Sequence, residues 1–172
     1  MDFKSKLRHV MDFPIAGIDF IDITTVLQDA EAFHECLEQM KRAIEGFGDF
    51  DAVVGAESRG FIFGAPLAYM LGKGFVPIRK KGKLPYKTIC EEYQLEYGTD
   101  KLEMHSDAIK PGQKVVIVDD LLATGGTTEC NIRLIEQLGG VVAGIIYFIE
   151  LINLNGREKL KGYNIKSIVK QE

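Results

Sequence analysis

The sequence predicts an α/β fold in which a central, mostly parallel sheet is flanked by helices. Two observations carry this expectation. Short Val- and Ile-rich runs, DAVVGA, KVVIV and VVAGIIYFIEL, lack the polar alternation of a half-exposed strand and suggest burial on both faces. Between them lie segments with helical spacing, and strands that alternate with helices build a parallel sheet covered on both sides.

The elements follow in order. The first thirty residues are irregular, punctuated by Pro14 and Gly17. A helix is predicted over 31–45, where Phe33, Leu37, Met40 and Ile44 recur on one face and Asp29 is placed to cap it. DAVVGA (51–56) reads as a buried strand, ESRG follows it, and FIFGAPLAYMLG (61–72) reads as a helix stopping near Gly72. FVPIRK (75–80) is a second strand. The pattern then changes. KKGKLPYKT is basic and turn-rich, and EEYQLEYGTDKLEMHSDAIKPG alternates in places as hairpin strands do. KVVIVDD (114–120) is a third strand, 127–138 a helix stopped by Gly139-Gly140, VVAGIIYFIEL (141–151) a fourth strand and YNIKSIV (163–169) a fifth.

The chain has 172 residues, enough for one sizeable core, and no linker divides it, so a single domain over 1–172 is expected. The insert at 80–110 reads as a flap. A hydrophobic content of 46 % and a charged content of 27 % are ordinary for a globular protein. The net charge of -4 gives no reason to expect nucleic acid as a partner, and no apolar run is long enough to span a membrane. Cys36, Cys90 and Cys130 are widely spaced and read as free thiols, which together with the absence of a signal-like start predicts a cytoplasmic protein. His9, His34 and His105 form no metal-binding or nucleophilic spacing.

The chemistry is concentrated in VVIVDDLLATGGTT (115–128). Ligands of open α/β sheets sit beyond the carboxyl ends of the strands. That rule puts Glu57-Ser58-Arg59, Asp119-Asp120 and Glu150 at one rim. The ATGGTT segment can turn several backbone N–H groups into a concavity, with the positive end of the following helix behind it and the hydroxyls of Thr124, Thr127 and Thr128 beside it. A phosphate fits there. No Lys follows the glycines, so the loop is not that of the nucleotide triphosphatases, and the acidic pair ahead of it breaks the dinucleotide fingerprint. Two carboxylates before a phosphate loop suit a ligand with both a ribose diol and a 5′-phosphate.

This stretch resembles the phosphoribosyl-pyrophosphate signature of the type I phosphoribosyltransferases, and its LLATGGT portion is nearest to the adenine-specific members. The likeness covers nearly the whole chain: FPIAGIDFIDITTVLQD, ESRGFIFG, RKKGKLPYKT with EYQLEYG, and IELINLNGREKL match further family segments in the family's order. It implies the type I fold, with a small amino-terminal base-binding hood at 1–30 and a flexible catalytic flap at 80–110.

The resemblance also implies residue roles. Asp119 and Asp120 would hold the ribose hydroxyls, and Ala123, Thr124, Gly125, Gly126 and Thr127 the 5′-phosphate. Glu57, Ser58, Arg59, Arg79 and Lys83 would meet pyrophosphate, with a cis peptide between Glu57 and Ser58. Glu96 would handle the purine N7 proton, Tyr97 would cover the reacting ring, and Phe20, Val26, Leu27 and Leu151 would hold the base. Magnesium is implied as cofactor, held mainly by substrate oxygens and water with no direct protein ligand set. Adenine and phosphoribosyl pyrophosphate are the implied substrates and a homodimer the implied assembly. Gln28 stands where the family commonly has a basic residue. Two alternatives remain at this level: the same transfer to hypoxanthine, guanine or xanthine, and a non-enzymatic regulator that senses the activated sugar.

Overall fold

The structure, a computed structural model, describes residues 1–94 and 98–172. The chain forms two compact units, Met1–Gln39 and Met40–Glu172.

In the first unit β1 (Arg8–Met11) and β2 (Asp19–Asp22) pair antiparallel, with Arg8 opposite Asp22 and Met11 opposite Asp19. The segment expected to be irregular is therefore partly a hairpin. Phe13 meets Phe20 edge-on at 5.1 Å between ring centroids across its turn. The short helix α1 (Thr24–Leu27) follows, with the Asp22 carboxylate accepting hydrogen bonds from the Thr24 N–H and hydroxyl. Helix α2 (Ala30–Glu45) begins as expected at Asp29, whose carboxylate accepts from Ala32 N–H at 3.1 Å.

The second unit is built on β3 (Ala52–Ala56), β4 (Gly74–Lys80), β5 (Thr88–Gln94), β6 (Thr99–His105), β7 (Lys114–Leu122), β8 (Val141–Leu151) and β9 (Ile165–Gln171). They form one sheet in the order β5-β6-β4-β3-β7-β8-β9. From β4 to β9 every neighbouring pair is parallel, while β6 and β5 run antiparallel. This is the mostly parallel sheet that the sequence predicts. The order reverses beside β3, because β3 connects outward to β4 on one side and pairs with β7 on the other. Such a reversal opens a crevice at the strand ends.

Helix α3 (Arg59–Met70) follows β3, and α4 (Gly126–Gln137) follows β7. The aliphatic runs of β3, β7 and β8 are buried: Val53, Val54, Val115–Val118 and Ile145–Ile149 are at or near zero exposure. Close packing against α3 rests on two glycines. The Phe75 ring fills the space where a Cβ on Gly64 would stand 2.7 Å from it, and one on Gly55 3.1 Å. A third, Gly60, lets the start of α3 lie against the end of β7, where its Cβ would be 3.1 Å from Asp119 Oδ1. Among the described residues no helix is long and apolar enough to cross a membrane.

Candidate active site

β3 and β7 end side by side, so the two loops that leave them share one rim. A cavity of about 540 Å³ opens there. It is lined by Glu57, Ser58 and Arg59 from the first loop, by Asp119 and Asp120 at the end of β7, and by 121–128. Five sequence-predicted groups are thus brought together by chain segments about sixty residues apart in sequence.

The segment 123–127 leads from the end of β7 into α4. Gly125 adopts φ +84°, a left-handed conformation that turns the chain into α4. The first helical hydrogen bond runs from Glu129 N–H to Gly125 C=O at 2.9 Å. The N–H groups of Gly126, Thr127 and Thr128 therefore have no acceptor within the helix and stand at its positive end. Of the three threonines, Thr128 differs from expectation. It is buried, and its hydroxyl is bonded to Tyr147 Oη at 2.6 Å, so it braces the helix against β8. Thr124 is exposed and Thr127 half-buried.

The acidic pair is electrostatically loaded. Burial pushes the Asp119 carboxyl well above its usual range, and the neighbouring Asp120 charge pushes it further. Asp120 is raised by burial too, against the opposing pull of Arg59, whose Nε lies 2.9 Å from Asp120 Oδ2. Asp119 Oδ1 accepts from the Asp120 N–H at 2.9 Å. Two adjacent carboxylates of this kind, Asp120 buried and Asp119 half-buried, are stabilised as anions by hydroxyl donors or by a cation.

The Glu57-Ser58 peptide is cis, as the resemblance implied. Glu57 gathers the base of the flap: its carboxylate accepts from Lys80 N–H at 2.6 Å and from Lys83 Nζ at 2.8 Å, and Arg79 Nε lies 3.4 Å away. Burial works against ionisation, but these groups outweigh it and hold the Glu57 carboxyl below its ordinary value. Arg79 and Lys83 do not line the cavity. They adjoin it through Glu57. Lys80 is turned elsewhere, to Asp100 at 3.0 Å. β5 and β6 form the hairpin expected in the flap, and Arg133 of α4 pairs with Glu91 and donates to Glu92 C=O.

Glu96 and Tyr97 lie outside the described residues. Of the proposed base contacts, Phe20 is half-buried on β2, Val26 is buried in α1, Leu27 is half-buried beside it, and Leu151 is half-buried at the end of β8. Gln28 is exposed. Sequence reasoning missed Tyr93, Gln94, Leu154 and Lys159 as cavity residues. They come from the flap and from the carboxyl-terminal segment, and nothing in their local sequence reports proximity to a loop about 30 residues away. Among the described residues no group of three or more His, Cys, Asp or Glu side chains is arranged to hold a metal.

Comparison with known proteins agrees with this geometry. A family model described as phosphoribosyl transferase domain matches residues 23–172. The adenine phosphoribosyltransferase of Ruminiclostridium cellulolyticum is 75 % identical over 170 residues, covering 99 % of each chain. That of Acetivibrio thermocellus is 76 % identical over 169 residues, covering 98 % of this chain and 99 % of the other. Among solved structures, the adenine phosphoribosyltransferase of Thermoanaerobacter pseudethanolicus superposes with a TM-score of 0.95 at 56 % identity, covering 98 % of this chain and 97 % of the other. The Saccharomyces cerevisiae enzyme, solved with adenine and an imino-altritol bisphosphate, gives 0.92 at 39 % identity, with 96 % and 95 % covered. With the family model matching residues 23–172 and relatives this similar over nearly the whole chain, the chain belongs to the adenine phosphoribosyltransferases of the type I phosphoribosyltransferase family.

Proposed function

We propose that the chain joins adenine to C1 of the ribose of phosphoribosyl pyrophosphate, giving AMP and pyrophosphate, with the residues at the strand ends dividing the work. The observation that carries this reading is the union, in one cavity, of an uncharged small-residue loop at a helix N-terminus with an acidic pair, Asp120 buried and Asp119 half-buried.

In this reading the 5′-phosphate sits on the N–H groups of 123–127, and Asp119 and Asp120 accept hydrogen bonds from the ribose hydroxyls. Arg59, beside Ser58, meets the pyrophosphate, and Arg79 and Lys83 swing to it from Glu57. As the C1–oxygen bond breaks, pyrophosphate leaves with the electron pair and positive charge builds on the ribose ring. The N9 lone pair of adenine forms the new bond, and Glu96 takes the proton from N7. Tyr97 covers the reacting ring and keeps out water, which would otherwise hydrolyse the activated sugar. In the first unit Phe20, Val26 and Leu27 supply apolar contacts for the base.

Magnesium fits this site without a protein ligand set: its ligands would be substrate oxygens and water, and the Asp119 and Asp120 carboxylates beside the cavity would favour a cation nearby. When bound, it neutralises the pyrophosphate charge. A homodimer is supported by an apolar stripe on α3, where Ile62 is 36 % and Tyr69 88 % exposed. Three free cysteines and a net charge of -4 support a cytoplasmic protein without a nucleic-acid partner.

The test is pyrophosphate release from phosphoribosyl pyrophosphate with magnesium, compared across adenine, hypoxanthine, guanine and xanthine. Release with adenine, matched by AMP formation, is the expected outcome. Preference for an oxopurine would overturn the base site. Binding of the activated sugar without turnover of any base would make the chain a regulator.

A further inference from the structure

The loop that cups the 5′-phosphate carries no basic side chain, since 121–128 reads LLATGGTT. A phosphate monoester carries between one and two negative charges near neutral pH, whereas a helix N-terminus offers only about half a positive charge. A cation from another element would complete the compensation. Two line the cavity, Arg59 and Lys159. Arg59 is already engaged with Asp120 at 2.9 Å. No carboxylate among the described residues pairs with Lys159.

Lys159 stands on a firm mount. It belongs to a short 3-10 turn, Gly156–Leu160, whose backbone is pressed against the phosphate loop. A Cβ on Gly125 would lie 2.6 Å from the Gly156 carbonyl oxygen, and a Cβ on Gly156 would collide with the Ala123 carbonyl oxygen. From the other side Arg157 makes a two-pronged pair with buried Glu150, at 2.6 and 2.7 Å, and donates to Ile165 C=O at 3.1 Å. Ser167 donates to the same Glu150 carboxylate at 2.6 Å. The turn is therefore fixed to β8 and β9 while its glycine abuts the loop. Lys159 also lines a smaller cavity of about 250 Å³ together with Gly126, the residue whose N–H opens α4. Lys159 and the start of α4 thus share the walls of both cavities.

We infer that Lys159 is a substrate-binding residue whose ammonium group pairs with the 5′-phosphate of phosphoribosyl pyrophosphate and of AMP, supplying the charge that the glycine loop lacks. The inference rests on the transferase reading above and adds a residue to it. The loop provides shape and N–H donors, and Lys159 provides the compensating charge from a neighbouring turn.

Lys159→Met and Lys159→Arg test this. Ribose 5-phosphate, AMP and inorganic pyrophosphate are titrated separately into the full chain, and steady-state kinetics follow with adenine. Lys159→Met is expected to weaken ribose 5-phosphate and AMP and to raise KM for phosphoribosyl pyrophosphate by roughly ten- to a hundred-fold. Pyrophosphate affinity and kcat should stay within about two-fold, because the lost contact is made equally in ground and transition states. Lys159→Arg should recover most of the loss. Unchanged ribose 5-phosphate affinity in Lys159→Met overturns the proposal. Equal loss of pyrophosphate affinity also overturns it, since Lys159 would then serve the other end of the substrate. Ribose 5-phosphate binding needs no turnover, so wild-type protein inactive on every purine would refute the transferase reading while this test still stands. Wild-type protein that binds no ribose 5-phosphate would refute both.

Discussion

Gly125→Ala is the sharpest probe of the phosphate loop. At φ +84° an alanine costs about 1–2 kcal/mol from backbone crowding alone. Its Cβ would stand 2.6 Å from the Gly156 carbonyl oxygen, nearer than real Cβ contacts come. Both sides of that contact are backbone, and Gly156 is held by the Glu150–Arg157 pair, so relief requires displacing the loop or the turn. Overpacking of this kind adds about 1–3 kcal/mol. The expected loss is therefore about 2–5 kcal/mol, a large share of the stability of an ordinary domain. Gly126→Ala is the matched control. There the nearest atom to a new Cβ is Gln94 O at 3.6 Å, an ordinary contact, and the position is helical. Its folding stability should stay within about 1 kcal/mol of wild type. Urea unfolding followed by circular dichroism reads both, with ribose 5-phosphate titration as a local readout. Should Gly125→Ala unfold at the wild-type midpoint, or Gly126→Ala fall as far as Gly125→Ala, the described contact between loop and turn is wrong.

Three further outcomes are expected. Asp119 has a folded-state pKa raised above its ordinary 3.8 by burial and by Asp120, so its ionisation destabilises the fold as pH rises from near 3.8 through the raised value. Asp119→Asn should thus be more stable than wild type at neutral pH, by a margin that shrinks toward pH 4, while ribose 5-phosphate affinity falls; thermal unfolding across pH measures this. Glu150 is the opposite case, since Arg157 and Ser167 outweigh burial and hold it below its ordinary 4.5. Glu150→Gln should cost roughly 2–3 kcal/mol at neutral pH, toward the low end of buried-pair losses because the Arg157 side chain is 40 % exposed. Its deficit in chemical denaturation should close as pH falls through the depressed folded-state value. Glu96→Gln should lower kcat by about 10²–10⁴-fold with little change in KM for phosphoribosyl pyrophosphate, as removal of a proton acceptor does; initial rates decide it.

The sequence was most informative where function and local geometry coincide. The run from β7 through the 123–127 loop into α4 is contiguous, so its apolar strand, acidic pair, small-residue loop and helix start are all readable in fourteen residues, whereas the left-handed Gly125 emerged only in the structure. Helix α3 begins at Arg59, two residues before the expected start. The β1–β2 hairpin was not readable. Its strands are four residues each and mostly exposed, so no alternation marks them, and their pairing is set by the turn that places Phe13 against Phe20. Contacts between distant segments were equally silent. Glu57 reaches Lys83 across 26 residues, and Thr128 reaches Tyr147 across 19. The role of Lys159 depends on a glycine-to-glycine contact between segments about thirty residues apart, which no local pattern announces.

The carboxylate of Glu57 already occupies Arg79 and Lys83. If Arg79 and Lys83 receive pyrophosphate as proposed, its arrival exchanges one anion for another, and the pair of cations is never left bare. Affinity for the leaving group is then the difference between two similar attractions, which keeps it moderate however strong each one is. Departure becomes an exchange as well: the internal carboxylate returns as the product lets go, so a highly charged product need not abandon an uncompensated site. Glu57 would thus act as a built-in competitor that favours turnover over retention.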